Sequence, residues 1–318
     1  MSPEDQVKAL ARAAGFSLCG IARADQPPQS LGGLRAWLSQ GHHAGMAWME
    51  RQAEKRLDPR KVLEGCQSLI CLGLYHDPGR GREGEQQGAG RVARYARGED
   101  YHRVMERKLK ALEAGLAQAF PAPASFRGYA DTGPVAEKAW AAAAGLGWQG
   151  KNSCLINQDT GSYLLLAVVL SSLDLRADAP GLDRCGNCQL CVEACPTQAL
   201  VQPGVVDARR CVSYLTIEHK GPTPEELQAG IGNNAFGCDI CQEVCPWNRK
   251  APAAADEALK ARPELEQPDL RAWLAMDAEA FALAFKHTAL KRAKLEGLQR
   301  NAGLVLSNMR KEGHAPGI

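Results

Sequence analysis

Cysteine placement constrains this chain more than any other feature. Eight of its twelve cysteines fall between residues 185 and 245. They read Cys185-Gly-Asn-Cys188-Gln-Leu-Cys191-Val-Glu-Ala-Cys195-Pro196, then Cys211 alone, then Cys238-Asp-Ile-Cys241-Gln-Glu-Val-Cys245-Pro246. The first group is a complete C-x2-C-x2-C-x3-C-P run; the second is the same run with its first cysteine displaced upstream to Cys211. A tight loop of this kind wraps three corners of a four-iron cluster, and its fourth thiolate, followed by Pro, reaches a neighbouring cluster. The spacing therefore predicts two 4Fe-4S clusters. Cys185, Cys188, Cys191 and Cys245 would hold one, and Cys211, Cys238, Cys241 and Cys195 the other. A chain built in this way passes electrons.

Other readings of the cysteines fit less well. Disulfide frameworks belong to small domains of oxidising compartments, whereas this chain has 318 residues and a polar N-terminus that reads as a capped helix, not a signal peptide. Structural zinc sites use C-x2-C pairs but need neither three-cysteine runs nor the trailing Pro. Cys19, Cys66, Cys71 and Cys154 stand alone in apolar surroundings and read as small buried hydrophobes. No apolar run reaches membrane-span length, so the expected setting is the cytoplasm, with no membrane partner. Net charge is +2, from 38 basic and 36 acidic residues. Its distribution is uneven: 286–311 carries seven Lys or Arg against Glu296, and 51–61 carries five against Glu54 and Asp58. Such runs are solvated helix faces or seats for a phosphate backbone.

The fold class expected is α+β, in three parts. Residues 1–176 alternate helical and strand patterns, as an α/β unit large enough for a cofactor. Helical stripes lie at Val7, Leu10, Ala11 and Ala14 and at Val104, Leu109, Leu112 and Leu116, and a helix is expected from Pro134 to about Gly145. Strands are expected at 17–22, 68–74, 125–130 and 162–171, the last of them central. The Gly-, Arg- and Glu-rich stretch 77–90 reads as a long loop. Residues 177–250 form a ferredoxin-like two-cluster domain with little apolar periodicity. Residues 251–318 read as a short helical-repeat-like unit, with starts at Asp269 and Asp277 and a last helix over 290–309. No Gly-x-Gly-x-x-Gly run joins a strand to a helix, so a dinucleotide site lacks sequence support.

Three further segments carry a resemblance. They are Ala93-Arg-Tyr95-Ala-Arg97-Gly-Glu-Asp100-Tyr-His102, Tyr129-Ala-Asp131-Thr-Gly-Pro134 with Gly147-Trp148-Gln-Gly-Lys151-Asn152-Ser153, and Val206-Asp-Ala-Arg-Arg-Cys211-Val-Ser-Tyr214 with Gly237-Cys238 to Asn248. Together they are similar to the epoxyqueuosine reductase family, cobalamin-dependent iron-sulfur enzymes of tRNA modification. The resemblance implies reduction of the epoxide on a tRNA wobble nucleoside to queuosine, with cobalamin recharged through the two clusters. It implies Asp131 as proton donor, which at neutral pH requires an apolar pocket and a flat corrin to raise its pKa. Cobalamin contacts are expected from Arg56, Tyr95, Arg97, Asp131, Lys151, Asn152 and Ser153. Asp100-Tyr-His102-Arg-Val-Met105 lacks the Gly of the D-x-H-x-x-G pattern that ligates cobalt, so His102 reads as a helix-start residue. Trp148 covers a corrin or fills core. The partners expected are tRNA and a low-potential electron donor, with the protein acting as a monomer. The C-terminal part is shorter than the helical-repeat extension the family generally carries. Two alternatives stay open: a reductive-dehalogenase-like reductase of small molecules, and a two-cluster electron-transfer subunit.

Overall fold

The computed structural model describes residues 1–76, 90–249 and 256–311. The expected loop 77–90 therefore falls, but for Gly90, outside the described residues. Ser2 starts α1 (Pro3–Ala13): its hydroxyl accepts the Asp5 amide at 3.1 Å, and Pro3 takes a first-turn position whose N–H needs no partner. The strands β1 (Leu18–Arg23), β2 (Ser68–Tyr75), β3 (Phe126–Tyr129) and β4 (Leu164–Ser171) form one sheet in the order β1-β2-β4-β3, antiparallel throughout. β4 lies inside the sheet, as expected.

Helices cover both faces. α1 and α2 (Tyr101–Ala119) pack with Ile70, Leu72 and Leu74 on one side. On the other, Leu69 and Cys71 meet Trp140 and Ala139 of α3 (Glu137–Ala143). All eight residues of β2 are consequently buried, and its sequence shows an unbroken apolar run where a half-covered strand would alternate. α3 begins at Glu137, three residues later than the Pro134 start expected, the chain being still non-helical at Ala136 (φ −88°, ψ 72°); before it, the chain leaving β3 makes a left-handed turn at Asp131, φ 61°.

A two-residue strand, Arg91–Val92, pairs in parallel with Asn234–Phe236 and joins the first part of the chain to the cluster segment. Between Cys211 and Cys238 the chain folds α4 (Val212–Ile217) and α5 (Glu225–Ile231). Asp269 and Asp277 cap α6 (Leu270–Ala275) and α7 (Ala278–Ala284) as expected. The last helix, α8 (Lys294–Lys311), starts after a 3-10 turn at Ala289–Ala293, since Lys294 has φ 59°. These helices share one core with the cluster segment: Leu215, Ile231 and Phe236 pack with Trp273, Leu290, Leu298 and Val305. Polar bonds fasten the same joint. The Asn301 amide donates to Thr216 O at 2.7 Å and Ala235 O at 2.9 Å, and Arg300 to Leu215 O and His219 O, both at 2.7 Å. No helix among the described residues is long and apolar enough to cross a membrane.

Candidate active site and cluster segment

Asp131 stands just past β3 in a backbone conformation that costs a non-glycine residue about 1–2 kcal/mol. Its amide donates to Glu137 Oε1 at 2.6 Å, so the first residue of α3 holds the turn. The start of α2 faces it. The Tyr101 hydroxyl donates to Asp131 Oδ2 at 2.5 Å, and His102 Nε2 lies 3.5 Å from the same oxygen. His102 Nδ1 is 2.8 Å from Asp100 Oδ1, and Asp100 also accepts the His102 amide to cap the helix. The Tyr101 and His102 rings stack with centroids 4.0 Å apart, and Tyr95 meets Tyr101 edge-on at 5.7 Å. His102 is thus the helix-start residue expected, and also a partner of Asp131.

The electrostatics of this group differ from the expectation. The bond from His102 outweighs burial and, with Tyr101, holds the Asp131 carboxyl down at about 2. Burial opposes the charged form of His102, but Asp100 and Asp131 prevail and raise it to about 9. At neutral pH the protein alone presents an imidazolium between two carboxylates, with the Asp131 side chain 61% exposed. Asp131 is not raised by its own pocket, because two donors stabilise the carboxylate more than burial disfavours it. Glu137 goes the other way: burial, then the Asp131 charge, push it up to about 8.

Arg56 borders the same group. One guanidinium nitrogen donates to Val135 O at 3.2 Å, while Nε is buried without a hydrogen-bond partner. Burial lowers its pKa although Glu137 and Asp131 act to raise it. An orphaned donor beside an exposed carboxylate and two tyrosines suits a polar, ring-bearing ligand such as a corrin with amide side chains. Arg97 is 8% exposed and donates from Nε to Val92 O at 2.8 Å, bracing the chain that leads to Tyr95. The remaining expected contacts turn their side chains to the cluster segment. Lys151 Nζ donates to Gly186 O at 2.7 Å and Cys188 O at 2.9 Å, Asn152 to Cys241 O at 3.3 Å, and Ser153 to Gly204 O at 2.5 Å.

The eight thiols fall into two neighbourhoods. Burial and then Cys185, Cys191 and Cys188 push the Cys245 thiol up to about 11. Burial, with Cys211 and Cys195 among the neighbours, pushes Cys238 up to about 12. Cys241 adjoins Cys238 and Cys211, and also Cys154, which sequence reasoning had left as an isolated hydrophobe. Among the described residues no three Cys, His, Asp or Glu side chains converge on a single-ion site; thiolates of a four-iron cluster each bind their own iron at separate corners. Trp148 Nε1 donates to Cys185 Sγ at 3.4 Å, and Trp247 lies edge-on to Trp148 at 5.0 Å.

Tyr101 and Glu137 were not singled out from sequence. The Asp-Tyr-His run after Asp100 was the only signal for the first. Of the C-terminal basic run, Arg300 is committed to backbone carbonyls, and Arg292 pairs with Glu218 at 2.7 and 2.9 Å while lying 5.2 Å from the Trp48 ring. Glu218 chiefly raises the Arg292 pKa, with smaller contributions from the Asp131 and Tyr101 charges.

The chain matches two family models, "4Fe-4S double cluster binding domain" over residues 184–248 and "Epoxyqueuosine reductase QueG, DUF1730" over 56–132. It is 43% identical over 300 residues to the epoxyqueuosine reductase of Cyclobacterium marinum, covering 94% of this chain and 95% of that protein. The Gloeobacter violaceus enzyme is 42% identical over 312 residues, with 95% of each chain covered. Among solved structures, an epoxyqueuosine reductase with a tRNA-Tyr epoxyqueuosine-modified stem loop superposes with a TM-score of 0.89 at 31% identity, covering 98% of this chain and 82% of that one. The Streptococcus thermophilus enzyme gives 0.86 at 30%, covering 97% and 82%. Identity at this level over nearly the whole chain, with the double-cluster segment inside it, means that the chain belongs to the epoxyqueuosine reductase family.

Proposed function

We propose that this protein reduces the epoxide of epoxyqueuosine in tRNA to give queuosine, using cobalamin recharged through two 4Fe-4S clusters. The observation that carries this reading is the match, along nearly its full length, to a relative crystallised with an epoxyqueuosine-modified tRNA stem loop. Removing the epoxide oxygen as water takes two electrons and two protons and leaves a carbon-carbon double bond. Cobalamin, when bound, supplies a strongly reducing cobalt for this step.

The chain's own residues bind and handle protons. Arg56, Tyr95 and Arg97, with the loop Lys151-Asn152-Ser153, would hold the corrin and its side chains, the loop through backbone groups because its side chains are engaged elsewhere. Asp131 would give a proton to the oxygen released from carbon. Its carboxylate must first be protonated, and covering it with a flat ligand and substrate removes the water that favours the charged form. The thiols of Cys185, Cys188, Cys191 and Cys245 would hold one cluster, and those of Cys211, Cys238, Cys241 and Cys195 the other. In this reading residues 1–176 form the catalytic domain, 177–250 the cluster domain and 251–318 a tRNA-facing helical unit. The protein would work as a cytoplasmic monomer fed by a low-potential donor.

Asp131→Asn tests the assignment. The variant keeps the shape and accepts the same donors, so tRNA binding should hold while single-turnover conversion of epoxide-bearing tRNA falls by about 100-fold or more. Turnover at the wild-type rate would remove Asp131 from the reaction, and conversion of no epoxide by wild-type protein loaded with cobalamin and reduced would remove the reading.

A further inference from the structure

Two residues outside the cysteine runs reach the loop that carries the first thiol group. Trp148 is 4% exposed, yet its indole N–H is not left idle as that of buried Trp140 is; it points at Cys185 Sγ. The approach is built into the backbone. Gly147 has φ 158°, a Cβ there would stand 2.1 Å from Ile156 O, and a Cβ on Gly181 would stand 1.9 Å from Gly147 O. Only glycines let the strand carrying Trp148 press against the chain entering Cys185. Lys151 adds a cation to the same loop, through the carbonyls of Gly186 and Cys188.

The second thiol group has amide donors of its own: Cys195 Sγ accepts the Ala199 N–H at 3.3 Å, and backbone amides at Tyr214, Ser213 and Ile240 bond Cys211 and Cys238. Carboxylates adjoin both groups, Asp183 at the Cys185 amide and Asp239 at Cys238. Adding an electron to a cluster adds negative charge. A hydrogen bond to a ligating sulfur and a nearby cation stabilise that charge, whereas a nearby carboxylate does not.

We infer that Trp148 and Lys151 raise the reduction potential of the cluster proposed on Cys185, Cys188, Cys191 and Cys245. This rests on the cluster assignment given under Proposed function. Cys188 is exposed and Leu182 is 73% exposed, so this cluster is the one nearer solvent. Trp148 has the larger effect of the two, since its bond is direct and dry while the Lys151 charge is partly screened by water.

The test is an anaerobic, EPR-monitored redox titration of the full chain with both clusters assembled, for wild type, Trp148→Phe, Lys151→Met and Lys151→Arg. Trp148→Phe keeps the ring and deletes the donor. The expected result is that one cluster signal moves to more negative potential in Trp148→Phe and less so in Lys151→Met, while the other stays and Lys151→Arg matches wild type. Should Trp148→Phe not assemble, Lys151→Met decides by the same criterion. Unmoved potentials with both clusters present, or equal movement of both, would overturn the inference. Iron and sulfide contents showing that wild-type protein binds no two clusters would overturn the assignment beneath it.

Discussion

Tyr101, His102, Asp131 and Glu137 form a group of four side chains from two helix starts and one left-handed turn. Two of them make stability depend on pH in the same direction. Glu137 titrates at about 8 in the fold, above its ordinary 4.5, so the folded chain keeps a proton that the unfolded chain loses, and stability falls as pH rises between those values. His102 titrates at about 9, above 6.5, so its contribution is complete below 6.5 and is lost as pH climbs through 9. Melting temperature of the cofactor-free protein should therefore decline on going from about pH 5 to about pH 9. Glu137→Gln should flatten the lower part of that decline and His102→Gln the upper part; a slope indifferent to both changes would contradict the network. Asp131 was legible in sequence through its flanking residues, because a motif preserves order along the chain. Its partners were not, because Tyr101 and Glu137 reach it only across a turn whose φ no composition reveals. Lys151, Asn152 and Ser153 were expected to face a cofactor, whereas their side chains bond the cluster segment, a direction set by its packing.

Elements repeat this pattern. Caps at Ser2, Asp269 and Asp277 could be read from sequence, since each is a local bond between a short side chain and an amide two or three residues on. Strand existence was equally plain in 68–74 and 162–171, but their order in the sheet was not: the run that marks β2 as buried on both faces does not say which strands flank it. The short strand Asn234–Phe236 was missed because it pairs with two residues more than a hundred positions away. Its exit is demanding. Gly237 has φ 70°, and a Cβ there would stand 2.5 Å from Ala93 Cβ. Gly237→Ala should cost more than about 1 kcal/mol from the backbone conformation alone, with the displacement of Ala93 added to it. A urea midpoint equal to that of wild type would show that the strand can shift without penalty.

Across the whole molecule, the C-terminal helices and the Cys211–Cys238 excursion are one packed body, and Asn301 is its polar fastener. Asn301→Ala leaves two buried carbonyls without their donor and should destabilise by about 1–3 kcal/mol; a loss below a few tenths in denaturant unfolding would mean that water replaces the amide. Periodicity did reveal those helices, whereas their shared core with the cluster segment arises from pairing between distant positions, which one sequence does not display. The exchange of Cys195 and Cys245 between the two thiol neighbourhoods reaches furthest. In the proposed assignment each set is completed by a cysteine from the other run, so neither run would finish a cluster with local chain. Filling one set closes a long loop and prepays part of the ordering that the other requires. Maturation of such a protein should be close to all-or-none, and oxygen damage at one cluster should spread to the second as a loss of shape.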